Sequence, residues 1–187
     1  RSRRQRKMCI RDRVCVRQNK QKGIGPAVLL TKNIVGDEPF LFHAGDLYIP
    51  NQNYFHSMIK THQNENPDAT IGLKKVKNPQ RYGVAVLNSK KKINGSKIVR
   101  VVEKPKTPPS NYALTGVNIF TPKIFEAIEK TKKKLRGEIQ LTDSIQTMIS
   151  KKEPVVGSLM KPNEICIDVG IPEAYFSALK YSYSHKV

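Results

Sequence analysis

The order of apolar and polar stretches predicts an α/β fold built on a mixed, mainly parallel sheet. Three observations predict it. Strand-length apolar runs alternate with segments in which apolar residues recur at three- and four-residue spacing. Two of the runs, residues 40–46 and 165–170, are apolar at consecutive positions and close on Gly and Asp, as strands covered on both faces do in parallel sheets. Residues 82–87 and 98–103 flank the turn pair Asn94-Gly95, so they should form a long antiparallel hairpin, which makes the sheet mixed.

In chain order, residues 14–16 read as a short strand and 18–25 as a polar loop. Gly23-Ile24-Gly25 alone is a weak phosphate-loop signal, because neither a third glycine nor Lys-Ser/Thr follows. Pro26 at a first helical position, then Ala27-Val28-Leu29-Leu30, predicts a buried helix. Gly36-Asp37 turns the chain into the 40–46 strand. Residues 53–63 carry Tyr54, Phe55, Met58, Ile59 and His62 at helical spacing. Met58 and His62 are expected to pack rather than ligate, since no partner ligands stand at metal spacing. Residues 69–76 read as a strand. Pro105, which cannot donate to a ladder, closes the hairpin's second strand before a Pro-rich connector at 106–109. Residues 113–120 form the next strand. Thr121 as N-cap and Pro122 as first residue start a helix to about Lys134 that buries Ile124, Phe125 and Ile128. Thr142 caps a helix carrying Ile145, Met148 and Ile149. A strand at 154–160, the strand ending in Asp168 and a helix from Pro172 to about Tyr183 complete the chain.

A chain of 187 residues is enough for one domain with a real core. No apolar run approaches the length of a membrane span. The basic N-terminus has no apolar region behind it, so it does not read as a secretory signal. Cys9, Cys15 and Cys166 show no CxxC and no zinc spacing, which fits a reducing, cytoplasmic setting. The net charge of +19 suggests a nucleic-acid partner, but its distribution weakens that suggestion. Residues 1–13 supply +6 of it, and Met8-Cys9-Ile10-Arg11-Asp12-Arg13 resembles a translated sequencing adaptor. Residues 1–13 are therefore expected to be foreign to the fold. Much of the remaining +13 lies in Lys90-Lys91-Lys92 and Lys132-Lys133-Lys134, runs without interleaved aromatic residues. Neither a nucleic acid nor a membrane is expected as partner.

Asp46 and Asp168 stand at the ends of the two apolar runs, each beside a glycine or close to one. Two carboxylates at two strand ends suit Mg²⁺, which commonly takes one or two carboxylates together with substrate phosphates. Either Asp alone is equally a turn former.

The ordered motifs are more specific: Gln18-x4-Gly23, Gly45-Asp46, Tyr82-Gly83-Val84, Glu103-Lys104-Pro105, Ser110-Asn111-Tyr112-Ala113-Leu114-Thr115-Gly116, Arg136-Gly137-Glu138-Ile139-Gln140-Leu141-Thr142-Asp143 and Asp168-Val169-Gly170-Ile171-Pro172-Glu173. Together, over nearly all of residues 14–183, they resemble the sugar-phosphate nucleotidyltransferases, nearest the glucose-1-phosphate thymidylyl- and uridylyltransferases. The resemblance implies a Rossmann-like domain that joins a nucleoside triphosphate to a sugar 1-phosphate with Mg²⁺, releasing pyrophosphate. It implies that Gln18 and Gly23 contact the nucleobase, that Asp46 and Asp168 hold the metal, and that Tyr82, Gly83 and Leu114 shape the sugar pocket. Glu103 would accept hydrogen bonds from sugar hydroxyls, and Lys104 and Arg136 would bind the sugar's phosphate. Two departures stand out. Asn118 occupies a position that is usually aromatic. The family's opening strand and G-x-G-T-R-x-x-P loop have no match, so residues 14–187 read as a partial domain whose first strand-loop-helix is missing, inactive by itself. The alternative is a non-catalytic regulatory or scaffold homologue that lost the triphosphate loop. Which nucleotide, which sugar and whether the protein forms a homo-oligomer are left open.

Overall fold

The computed structural model describes residues 14–88, 93–132 and 137–185. In chain order the elements are α1 (Ile24–Leu29), α2 (Lys32–Val35), β1 (Phe40–His43), β2 (Leu47–Tyr48), α3 (Asn53–Glu65), β3 (Ala69–Lys75), β4 (Gly83–Leu87), β5 (Ile98–Glu103), β6 (Tyr112–Phe120), α4 (Lys123–Lys130), α5 (Leu141–Ser150), β7 (Val155–Leu159), β8 (Ile167–Asp168) and α6 (Pro172–His185). The alternation makes an α/β fold, as expected.

The main sheet runs β5-β4-β6-β3-β7, and β1 also pairs with β6. β3 lies along one side of β6 from Lys75↔Tyr112 to Ala69↔Phe120. The other side is divided: β4 takes Tyr112 and Ala113, and β1 takes Val117 to Phe120. β1, β3, β4 and β7 point the same way and β5 and β6 oppose them. The expected dominance of one direction is therefore present. Because β6 sits in the middle, however, β3 and β7 are the parallel neighbours and the other pairs are antiparallel.

Period-two alternation sends the two faces of β3 and β6 into two cores. Ala69, Ile71, Leu73 and Phe120 pack with Ile124, Phe125 and Ile128 of α4 and Ile145 and Met148 of α5. Val117 and Ile119 face the opposite way, onto Tyr54 and Met58 of α3. Helical layers thus cover both faces. The hairpin of β4 and β5 and the helix burying Ile124, Phe125 and Ile128 form as the sequence predicts.

Several local expectations are corrected. Residues 14–16 are extended but pair with no strand among the described residues. β1 is not covered on both faces: its residues alternate half-buried and exposed, and its edge away from β6 carries no strand among the described residues. The run around Asp168 gives only a two-residue ribbon with β2, and Asp168 is exposed. α1 begins at Ile24, so Pro26 is its third residue. Thr121 does not cap α4; its hydroxyl is buried without a partner among the described residues. Thr142 lies inside α5, which starts one residue earlier.

Candidate active site

A cleft of about 270 Å³ opens where the turn after β1, the start of β4, the end of β5, the middle of β6 and the start of α5 meet. Asp46, Tyr82, Gly83, Glu103, Lys104, Leu114 and Asp168 all line it. Sequence positions spread over more than 120 residues are brought to one place. Arg136 lies outside the described residues.

Gly83 and Glu103 are opposite each other in the β4–β5 register. The Thr142 hydroxyl donates to Glu103 Oε2 at 2.7 Å. A Cβ on residue 83 would come within 3.0 Å of Thr142 Oγ1 and 3.1 Å of Glu103 Oε2. Glycine at 83 is thus what leaves room for this pair. Thr142 orients the carboxylate and leaves its other oxygen free to accept from a ligand.

Adjacent residues of a strand point to opposite sides, so Glu103 and Lys104 should diverge. They do not, because Lys104 takes φ 40, in the left-handed region that a residue with a Cβ seldom adopts. Its N–H donates to Tyr82 O at 3.1 Å, and the twist places both side chains in one cleft. Strain of this kind persists where surrounding contacts over-determine it, and it clusters at functional sites.

The β2–β8 ribbon sets Asp46 beside Asp168: Leu47 pairs with Asp168, and the Val169 N–H donates to Asp46 O at 2.8 Å. Asp168 Oδ1 accepts the Gly170 N–H at 3.0 Å, which fixes its rotamer. Both carboxylates are exposed to the cleft. Among the described residues there is no cluster of three or more His, Cys, Asp or Glu side chains at metal spacing. Two carboxylates offer hard oxygens of the kind a cation that completes its shell from substrate phosphates and water would accept.

Gln18 and Gly23 are not in the cleft wall. Gln18 Nε2 donates to Gly23 O at 3.3 Å, and the loop docks on residues 137–140 through Ile139 N–H to Lys22 O and Gly25 N–H to Ile139 O. Gly23 has φ 95, and a Cβ there would lie 2.6 Å from Ile139 O. Close packing on Ile139 accounts for this glycine. The next residue, Ile24, does reach the cleft.

Three cleft residues escaped the sequence reading of roles. Lys74, the next-to-last residue of β3, has its Nζ 4.9 Å from the Tyr82 ring centroid. Thr142 was hidden by its resemblance to a helix cap. Asn118, 2% exposed, accepts the Gly72 N–H at 3.4 Å where a register shift interrupts β3 pairing, so the amide replaces a ladder bond. Behind the cleft the Tyr54 and Thr115 hydroxyls share a 3.2 Å hydrogen bond. Burial holds the Tyr54 phenol well above its ordinary value, outweighing that bond, so it stays neutral.

Comparison with known proteins agrees with this arrangement. A family model described as nucleotidyl transferase matches residues 4–184. Over 142 residues the chain is 36% identical to the UTP--glucose-1-phosphate uridylyltransferase of Staphylococcus epidermidis, an alignment that covers 74% of this chain and 49% of that protein. It is 38% identical over 164 residues to the bifunctional protein GlmU of Methanocaldococcus jannaschii, covering 88% and 36%. The crystal structure of UDP-glucose pyrophosphorylase complexed with UDP-glucose superposes with a TM-score of 0.80 at 29% identity, covering 91% of this chain and 65% of that one. The chain thus spans about half, or less, of the curated relatives it matches. A matched model over almost the whole chain, and a cleft that gathers most of the family's motif positions, lead to one conclusion: the chain belongs to the sugar-phosphate nucleotidyltransferase family.

Proposed function

We propose that the complete protein transfers a nucleotidyl group from UTP or dTTP to a sugar 1-phosphate, with glucose 1-phosphate the expected acceptor. The observation that carries this is the pairing of Glu103 and Lys104 in one cleft by a strained backbone, opposite a two-carboxylate ribbon. A sugar hydroxyl needs an acceptor and its phosphate needs a cation, and the twist at Lys104 supplies both from adjacent residues.

An oxygen of the sugar phosphate attacks the α-phosphorus in line. The new oxygen–phosphorus bond forms as the bond to the β-phosphate oxygen breaks, and the electron pair leaves with pyrophosphate. No proton need be taken from the attacking phosphate, so the protein's part is positioning and charge neutralisation. Glu103, oriented by Thr142, holds the sugar hydroxyls. Gly83, Tyr82 and Leu114 line the sugar pocket. Lys104, with Arg136 as its expected partner, holds the acceptor phosphate in place. Asp46 and Asp168 would hold Mg²⁺, which when bound neutralises charge on the triphosphate.

The test is pyrophosphate release by the complete protein with UTP or dTTP and glucose 1-phosphate across a Mg²⁺ titration. Asp168→Asn is expected to lower activity about a hundred-fold or more and to shift the metal dependence to higher concentration. Activity and metal dependence equal to wild type would remove Asp168 from the site. No release with any nucleoside triphosphate and sugar 1-phosphate would favour the non-catalytic alternative.

A further inference from the structure

A second groove, of about 570 Å³, opens at the carboxyl ends of β3 and β7. These two are the parallel neighbours of the sheet, and open α/β sheets receive ligands outside the carboxyl ends of their strands. The floor is apolar, with Leu159 and Met160. The rim is cationic: Lys74, Lys75, Lys77 and Lys161 all line it. The lining has one acidic residue, Glu164, whose carboxylate accepts the Lys161 backbone N–H at 2.7 Å. Among the described residues, Lys32, Lys123 and Lys130 each have a carboxylate within 4.0 Å, and none of the four groove lysines does. Four lysines against one carboxylate leave the groove with an excess of positive charge, which a bound anion would offset.

We propose that this groove binds a small anion carrying several phosphate groups. Ammonium groups act as point-charge partners for phosphate, and a groove lined by Lys75, Lys77 and Lys161, with Lys74 at its border, suits a chain of phosphates better than a single carboxylate. The site is distinct from the cleft and does not depend on which reaction the cleft performs. The two are joined by Lys74, which lines both and stacks over Tyr82 in the cleft wall. A phosphate that draws the Lys74 ammonium into the groove takes it off the Tyr82 ring, so occupancy of the groove is felt in the cleft.

Cys166 lies in the groove wall and supplies a reporter. Its thiol is half-buried, so it should alkylate slowly. In the full chain carrying Cys9→Ser and Cys15→Ser, the rate of Cys166 alkylation is followed as inorganic tripolyphosphate is added. Saturable protection is expected, and it should disappear in 1 M NaCl, where screening shortens to about 3 Å. The triple variant Lys75→Gln, Lys77→Gln, Lys161→Gln should need about ten-fold more tripolyphosphate for the same protection. Absence of protection at low salt would overturn the proposal. So would equal protection in the triple variant, which would place the phosphate elsewhere, in the cleft or as an adventitious ion only. If the triple variant fails to fold, Lys161→Glu alone decides, with unchanged protection again overturning it.

Discussion

The two flanks of β6 are built differently. On one flank β3 accompanies β6 for its whole length, Ala69 to Leu73 are buried, and β7 continues the sheet. On the other, β4 takes Tyr112 and Ala113 and β1 only four residues, and beyond β1 lies a groove of about 540 Å³ lined by Val16, Val28, Ile34, Phe40 and Leu41. Val16 and Leu41 are 45% and 41% exposed. The acceptor side of the site, with Gly83, Glu103, Lys104 and Leu114, is built on the β4–β5 hairpin and on β6, where β4 is paired on both sides. Asp46 follows β1, whose outer edge has no strand partner among the described residues. An unpaired edge with apolar flanks is a template for association. The difference teaches that half of a site can be structurally complete while the other half borders open sheet.

The sharpest way to break this comparison is to injure each flank in turn. Phe125, 1% exposed, stacks on Phe40 with ring centroids 5.5 Å apart and also belongs to the closed core. Phe125→Ala should cost about 3–5 kcal/mol, enough to unfold most of a marginal domain, as read by urea titration. Leu41→Lys on the open edge should change stability by no more than about 0.5 kcal/mol while reducing light scattering on heating. If the two variants are equally destabilised, the open edge is not open in solution.

The next effect in size concerns the strained residue at the end of the β4–β5 hairpin. Lys104→Ala in the complete protein should lower kcat/KM about ten- to a hundred-fold when the sugar phosphate is varied, the cost of one charge-assisted hydrogen bond, and much less when the nucleotide is varied. Lys104→Gly should lose the same activity and yet melt higher than Lys104→Ala, since φ 40 suits glycine. Equal melting of the two would mean that the backbone relaxes and holds no strain.

The smallest effect is a titration. Burial holds the His62 imidazole below its ordinary value of 6.5, against a weaker pull upward from Asp68. The unfolded chain therefore binds the proton more readily. His62 contributes stability above about pH 6.5 that is lost as the pH falls through the lowered folded value. Between pH 7 and 5 the wild type should lose about 2 °C more in Tm than His62→Gln, measured by thermal melts at matched ionic strength. Parallel pH profiles would show that His62 is not a contributor.

Most of the architecture was legible because local signals and packing agreed. Asn94-Gly95 announced the hairpin, and the spacing of Ile124, Phe125 and Ile128 announced the helix and its buried face. The errors arose where the deciding partner is distant in sequence. The apolar run at Phe40 looked doubly covered, yet coverage depends on whether a strand lies at its outer edge. Thr142 looked like a cap because its actual partner, Glu103, is 39 residues away. The packing of Gly23 on the backbone of Ile139, 116 positions away, was not legible either. The convergence of Glu103 and Lys104 was not legible from strand alternation, since a lysine gives no local sign that it will take a positive φ.

The ribbon between β2 and β8 has a consequence for how the site comes into being. Asp46 and Asp168 are 122 positions apart, and among the described residues two residue pairs and the Val169-to-Asp46 bond join their segments. Closing so long a loop costs entropy that so few contacts can return only after the sheet has formed. The two carboxylates therefore meet late in folding, after the hairpin and the β3–β6 pair. A divalent ion should leave the early refolding phases unchanged and act only on the last one.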